Sequence, residues 1–181
     1  MLKLFSFLFS FTMLLPAVFG SKRPNTSNSS YLFSGSRDFY IKSKCFNRYF
    51  DIHLLGGSSL EFLSSTPIYL WPKRCGTMQR FRIIHFEREK YFIHPASSAN
   101  MLITPNSEIS GSTSRVSLQP RYNGKKQQWK LLSHKDGSWS FKNVKTKKCL
   151  EAINGGSLVH TCCSGSVSQC FFISPATDTN Q

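Results

Sequence analysis

Gln79-Arg80-Phe81, Gln127-Gln128-Trp129 and Gln169-Cys170-Phe171 are three occurrences of one pattern, Gln-x-aromatic, set 48 and 42 residues apart. Upstream of each lies an alternating apolar pair: Phe39/Ile41, Tyr91/Ile93 and Trp139/Phe141. Nine residues beyond the second member of each pair stands another large apolar residue: Phe50, Leu102 and Leu150. One match of this kind carries little weight. A spacing kept in three copies, each closed by Gln-x-aromatic, marks an internal repeat.

Between these anchors the sequence predicts short strands. Phe39-Tyr40-Ile41, Tyr49 to Ile52, Ile68-Tyr69-Leu70, Arg82-Ile83-Ile84 and Val116-Ser117-Leu118 are rich in β-branched and aromatic residues. Gly56-Gly57, Asn123-Gly124, Asp136-Gly137 and Gly155-Gly156 punctuate them as turns. No helical periodicity runs through this part. A unit of short antiparallel strands has one apolar face that it cannot bury alone, and three such units around a common axis bury all three. The expected fold class is all-β, threefold and closed.

The ends of the chain read differently. Lys3 followed by the mostly apolar stretch Leu4–Leu15, then Pro16 and Ala17-Val18-Phe19-Gly20, has the layout of a secretory signal peptide over residues 1–20. The apolar run is shorter than the roughly 20 residues of a membrane span, and no later stretch is suited to crossing a bilayer. Residues 21–37, rich in Ser and Asn, are expected to be a flexible linker, with Asn25-Thr26-Ser27 and Asn28-Ser29-Ser30 as glycosylation acceptor motifs. The folded domain is expected over 38–174, with a C-terminal tail at 175–181.

Twenty-three Lys and Arg against nine Asp and Glu give a formal charge of +14. The bases cluster at Lys42, Lys44 and Arg48, at Arg80, Arg82, Arg88 and Lys90, and at Lys142, Lys145, Lys147 and Lys148. On an exported protein such a field suits sulfated glycans, acidic polymers or anionic membranes better than nuclear DNA. The plainer alternative is a soluble surface without a dedicated partner. No specific nucleic-acid partner is expected.

Ile68-Tyr69-Leu70-Trp71-Pro72 ahead of Gln79-x-Phe81 resembles the ricin B-type lectin signature. Lys148-Cys149-Leu150-Glu151-Ala152, then Cys163-Ser164-Gly165 and Gln169-x-Phe171, is similar to the family's Lys-Cys-Leu-Asp and Cys-x-Gly elements. The resemblance runs from about residue 38 to 173. It implies a β-trefoil of three pseudo-symmetric four-stranded repeats, in which the Gln-x-aromatic residues serve the fold first.

Sugar recognition joins a carboxylate or amide, which accepts hydrogen bonds from hydroxyls, to an aromatic face that stacks on the ring. By the resemblance, the first repeat offers Asp51 as the acid and Trp71 as the stacking residue, with Tyr69 and Gln79 beside them. Tyr69 and Met78 stand where the family often has Gln and Asn, which removes two amides. The plainer readings are a surface acid for Asp51 and packing under a loop for Trp71. In the second repeat Leu102 is followed by Ile103 and Gln119 replaces the aromatic, so no site of this kind is expected. The third offers Glu151, one carbon longer than Asp, with His160 and Thr161 near the aromatic position, a poorer match.

Six cysteines in an exported chain point to disulfides. The resemblance implies Cys149–Cys163; Cys45 and Cys75 are candidates in the first repeat, although both are displaced from the usual positions, and Cys162 with Cys170 is the remaining pair. A metal site from His160, Cys162, Cys163 and Cys170 is disfavoured, because adjacent residues on a strand point to opposite faces. No cofactor, metal or catalytic residue is expected. The leading expectation is a secreted carbohydrate-binding protein whose partners are glycans or glycoproteins, with sulfated polysaccharide held by the basic surface. The alternative is a non-catalytic protein-binding or assembly subunit, such as a toxin delivery subunit or an extracellular coat component.

Overall fold

A computed structural model describes residues 33, 37–52, 64–74, 76–109 and 112–177. The expected signal peptide, the linker apart from Phe33 and Arg37, the Gly56-Gly57 turn, Cys75 and residues 178–181 of the tail lie outside them. Twelve strands fill the described chain: β1 (Phe39–Ser43), β2 (Tyr49–Ile52), β3 (Thr66–Trp71), β4 (Phe81–Glu87), β5 (Lys90–Pro95), β6 (Met101–Pro105), β7 (Ser114–Pro120), β8 (Trp129–Ser133), β9 (Trp139–Asn143), β10 (Cys149–Ile153), β11 (Ser157–Thr161) and β12 (Phe171–Pro175). A single 3-10 turn precedes each of β4, β8 and β12, at Thr77–Gln79, Lys125–Gln127 and Val167–Gln169. Among the described residues no helix is long and apolar enough to cross a membrane.

All pairings are antiparallel. Six strands close a ring through β1–β4, β4–β5, β5–β8, β8–β9, β9–β12 and β12–β1. The other six form the hairpins β2–β3, β6–β7 and β10–β11, which meet one another through β3–β7, β7–β11 and β3–β11. Closure leaves the ring strands no free edge.

The strands alternate as a half-buried sheet requires. Phe39 and Ile41, Ile93, Phe141, and the Gln-x-aromatic residues Phe81, Trp129 and Phe171 all turn inward. At the centre Phe50 meets Phe171 and Phe81 edge-on at 5.3 and 5.9 Å, and Phe141 meets Phe171 at 5.7 Å. Such aromatic pairs add about 0.5–1.5 kcal/mol each beyond their buried area. Phe33 closes the cluster from outside the repeats. Its ring packs edge-on against Phe39, Tyr91 and Trp139, the first inward residue of β1, β5 and β9, at 5.4, 5.8 and 5.6 Å.

Short polar residues shape two equivalent turns. The Ser43 hydroxyl accepts from the N–H groups of Cys45 and Phe46, and the Asn143 side-chain oxygen from those of Lys145 and Thr146. Pro95 takes this place at the end of β5, and Ile103 lies eight residues beyond it, against seven from Ser43 to Phe50 and from Asn143 to Leu150. That extra residue corrects the nine-residue spacing in the second repeat: the counterpart of Phe50 and Leu150 is Ile103, not Leu102. Strand register agrees, with Phe50 opposite Leu70, Ile103 opposite Leu118 and Leu150 opposite His160. Gly156 is required where β10–β11 approaches β3. Its φ is +85°, and a Cβ there would lie 2.8 Å from the Leu70 carbonyl oxygen.

Phe171→Ala would remove a fully buried ring at the meeting point of three strands. It is expected to cost about 3–5 kcal/mol, measured as a loss of unfolding free energy in urea titrations.

Candidate functional site

Each Gln-x-aromatic glutamine is buried, and its amide ties three elements together. The Gln79 carbonyl oxygen accepts from the Arg74 N–H at 2.9 Å; its amide donates to the Pro72 carbonyl at 2.9 Å and to Asp51 Oδ2 at 2.7 Å. Gln127 accepts from the Tyr122 N–H at 2.9 Å and donates to the Pro120 carbonyl at 2.8 Å and to Thr104 Oγ1 at 3.4 Å. Gln169 accepts from the Ser164 N–H at 2.8 Å and donates to the Cys162 carbonyl at 2.8 Å and to Glu151 Oε2 at 3.0 Å. Gln79 therefore has its hydrogen-bonding capacity engaged inside the fold and presents none of it at the surface. The same bonds identify Thr104 as the second repeat's counterpart of Asp51 and Glu151.

In the first repeat Asp51 stands directly opposite Tyr69, and Trp71 opposite Tyr49. With Phe50 and Leu70 in the core, these four share the outward face of the β2–β3 hairpin. Trp71 is half exposed, at 50%. Asp51 is 2% exposed, and both carboxylate oxygens have protein donors: Gln79 at Oδ2 and Arg74 Nη2 at Oδ1, 2.5 Å away. The Arg74 side chain is 42% exposed. The acid thus holds a guanidinium, and the guanidinium faces the solvent. Sequence reasoning passed over Arg74, whose only signal was a base three residues after the stacking Trp.

In the third repeat Glu151 is half-buried and accepts from Ser168 Oγ at 2.8 Å and from Gln169. His160 is not at a stacking position. It occupies the inward place of Leu70 and Leu118, with no exposed surface, and its ring stands edge-on to Trp129 at 6.4 Å. Its Nε2 is 2.5 Å from Thr146 Oγ1 and its Nδ1 3.4 Å from Ser114 Oγ. Strand alternation puts Thr161, not His160, in register with Trp71. Burial, reinforced by the Lys148 and Lys126 ammonium groups, pushes the His160 pKa down to about 4.

Cys149 and Cys163 are joined, their Cα atoms 5.0 Å apart. The expected pairing of Cys162 with Cys170 does not form. Cys45 and Cys162 are exposed free thiols, and Cys170 is a buried one. Cys170 Sγ donates to the Ser166 carbonyl at 3.5 Å. Cys75, the candidate partner of Cys45, lies outside the described residues. Among the described residues no group of three or more His, Cys, Asp and Glu side chains is placed to hold a metal ion.

A closed six-stranded ring, three capping hairpins and a thrice-used glutamine clamp define a β-trefoil of lectin type. The family model described as ricin-type beta-trefoil lectin domain-like matches residues 77–161 and 125–180, and the chain belongs to that family. No curated protein sequence matches the chain. Among solved structures it is similar to ThreeFoil, a designed 3-fold symmetric protein, with a TM-score of 0.67 at 15% identity over 75% of this chain and 96% of that one. The Polyporus squamosus lectin bound to the epitope Neu5Aca2-6Galb1-4GlcNAc gives 0.64 at 17% identity, over 79% of this chain and half of that one. The Haemophilus ducreyi cytolethal distending toxin gives 0.60 at 11% identity, over 81% and 88%.

The depressed His160 pKa makes stability depend on pH. The unfolded chain takes up this proton near pH 6.5 and the folded chain only near 4, so stability is full above about 6.5 and falls as the pH drops toward 4. The loss is of order 3 kcal/mol. His94, buried and also pushed down chiefly by burial, acts in the same direction. Urea unfolding between pH 7 and 4 should show the decline, and His160→Leu should flatten part of it.

Proposed function

We propose that this chain is a secreted carbohydrate-binding protein whose primary site is the outward face of the β2–β3 hairpin, and that it binds rather than catalyses. The observation that carries the reading is the exposed Trp71 on the same hairpin face as Asp51, with Arg74 fixed above that acid. A half-exposed indole offers a stacking face for a sugar ring. A carboxylate with both oxygens already bonded is a poor acceptor for a sugar's hydroxyl pair. The guanidinium above it remains a donor, and its planar fork matches a carboxylate or sulfate. The preferred ligand is therefore a saccharide bearing an acidic group, and the basic balance of the chain favours sulfated polysaccharides as an extended form of it. The family membership supports carbohydrate binding in general; the acidic preference rests on Arg74.

A glycan array with the purified chain tests this. Acidic glycans are expected to bind, and Trp71→Ala and Arg74→Gln should each weaken them by about tenfold or more, the scale of one charge-assisted hydrogen bond. Binding of neutral glycans that survives Arg74→Gln would sink the acidic preference. No binding to any glycan would leave the assembly-subunit reading in its place.

A further inference from the structure

We infer that the outer face of β5, β8 and β9 carries a second anion-binding site, a row of three lysines fitted to a linear sulfated polysaccharide. This rests on the reading that the partner is a glycan, but on none of the groups around Trp71. Lys90 is directly opposite Lys130, and Lys130 directly opposite Lys142. Residues directly opposite in antiparallel strands share one face. Their chain neighbours Tyr91, Trp129 and Phe141 are fully buried, so the three ammonium groups point outward. At roughly 4.8 Å per strand, the row spans about 10 Å between its outer members.

Like charges directly opposite one another destabilise a sheet. Here the register cannot slip to separate them, because a one-residue shift would turn Tyr91, Trp129 and Phe141 out of the core. Neutralisation from the protein is partial. Glu87, the last residue of β4, pairs with Lys90, and Glu89 in the β4–β5 turn lies 3.5 Å from Lys130. Among the described residues no carboxylate lies within salt-bridge distance of Lys142. Exposed pairs of this kind contribute about 0–1 kcal/mol, so a polyanion can displace them. Arg88 in the same turn, its carbonyl held by His85 Nε2 at 2.5 Å, lines a hollow of about 440 Å³ with Glu89, Lys90 and Lys130.

Other bases also have partners, but Lys44, Arg74, Arg82 and Lys148 stand in no cross-strand row of like charges. Lys44 pairs with Asp136, Arg74 with Asp51 and Arg82 with Asp38, while Lys148 is buried against the carbonyls of Ile109 and Ser112. The chemistry of the row favours sulfate on a sugar chain over single-stranded nucleic acid. Its cross-strand neighbours are Glu87 at one end and Cys149 at the other, and among the described residues no aromatic stands between the three lysines in the row to stack on bases.

The test uses heparin as the sulfated probe, with titrations of the full chain at several salt concentrations. Lys90→Gln/Lys130→Gln/Lys142→Gln should weaken binding and reduce the slope of log K against log salt by about two to three, near one released counterion per lysine. Glu89→Gln should tighten binding, which keeps the test decisive if the triple variant folds poorly. Trp71→Ala should leave the salt slope unchanged. A triple variant that folds and binds heparin as the native chain does would overturn the site while leaving the Trp71 reading intact. So would a thymidine oligonucleotide that competes with heparin at equal charge. Loss of heparin binding in Trp71→Ala but not in the triple variant would place the polyanion at the first site instead.

Discussion

The structure depends on a buried amide used three times. Each glutamine of the Gln-x-aromatic pattern bridges the loop that leaves the third strand of its unit and a polar residue on the second strand. Backbone groups in that loop have no ladder partner, and a buried polar group left unpaired costs about 1–3 kcal/mol. The glutamine supplies both an acceptor and a donor from one rigid plane, so the loop closes over the barrel at one height in each unit. The aromatic two residues later then enters the core at the same depth, which brings Phe81, Trp129 and Phe171 to one level.

The clamp also decides what the neighbouring surface can do. Its amide always reaches the second strand, but it meets Asp51 in one unit, Thr104 in another and Glu151 in the third. Thr104 is neutral and has no charge to lend a site. Glu151 is longer and finds Ser168 as well as the clamp. Asp51, short and buried, binds the clamp on one oxygen and Arg74 on the other. A buried carboxylate oxygen left without a donor is costly, so the fold itself favours Arg74 on Asp51 while the Arg74 side chain stays half-exposed. One scaffold geometry therefore supports three different surface chemistries, and only the first couples a fixed cation to an exposed indole.

Much of this was legible in the sequence because it follows from periodicity. Strand positions, inward aromatics and the disulfide between Cys149 and Cys163 all sit where repeat spacing or family resemblance puts them. What failed to show depended on a single residue of register or on pairing across strands. One extra residue between Pro95 and Ile103 puts the second unit's reference at Ile103 rather than Leu102. His160 and Thr161 both lie near the aromatic position in sequence, and alternation of period two sends Thr161 outward and His160 into the core. Phe33 lay in a stretch composed like a linker, and nothing in its neighbours signals that one ring would pack on the first inward residues of all three units.

Charge illustrates the same limit. Along the chain the bases form three clusters, and two of them dissolve on folding: Lys148 turns inward while Lys142 stays out, and Arg82 binds Asp38 while Arg88 lines an open hollow. The cross-strand array of Lys90, Lys130 and Lys142 takes its members from positions 40 and 12 residues apart and from two of the sequence clusters plus a residue in neither. Cross-strand register creates it, and the same buried aromatics that fix the register prevent its relief. An electrostatic cost that the core enforces, and that an external anion can remove, is a physical reason for a partner to bind at that face rather than elsewhere on a uniformly basic protein.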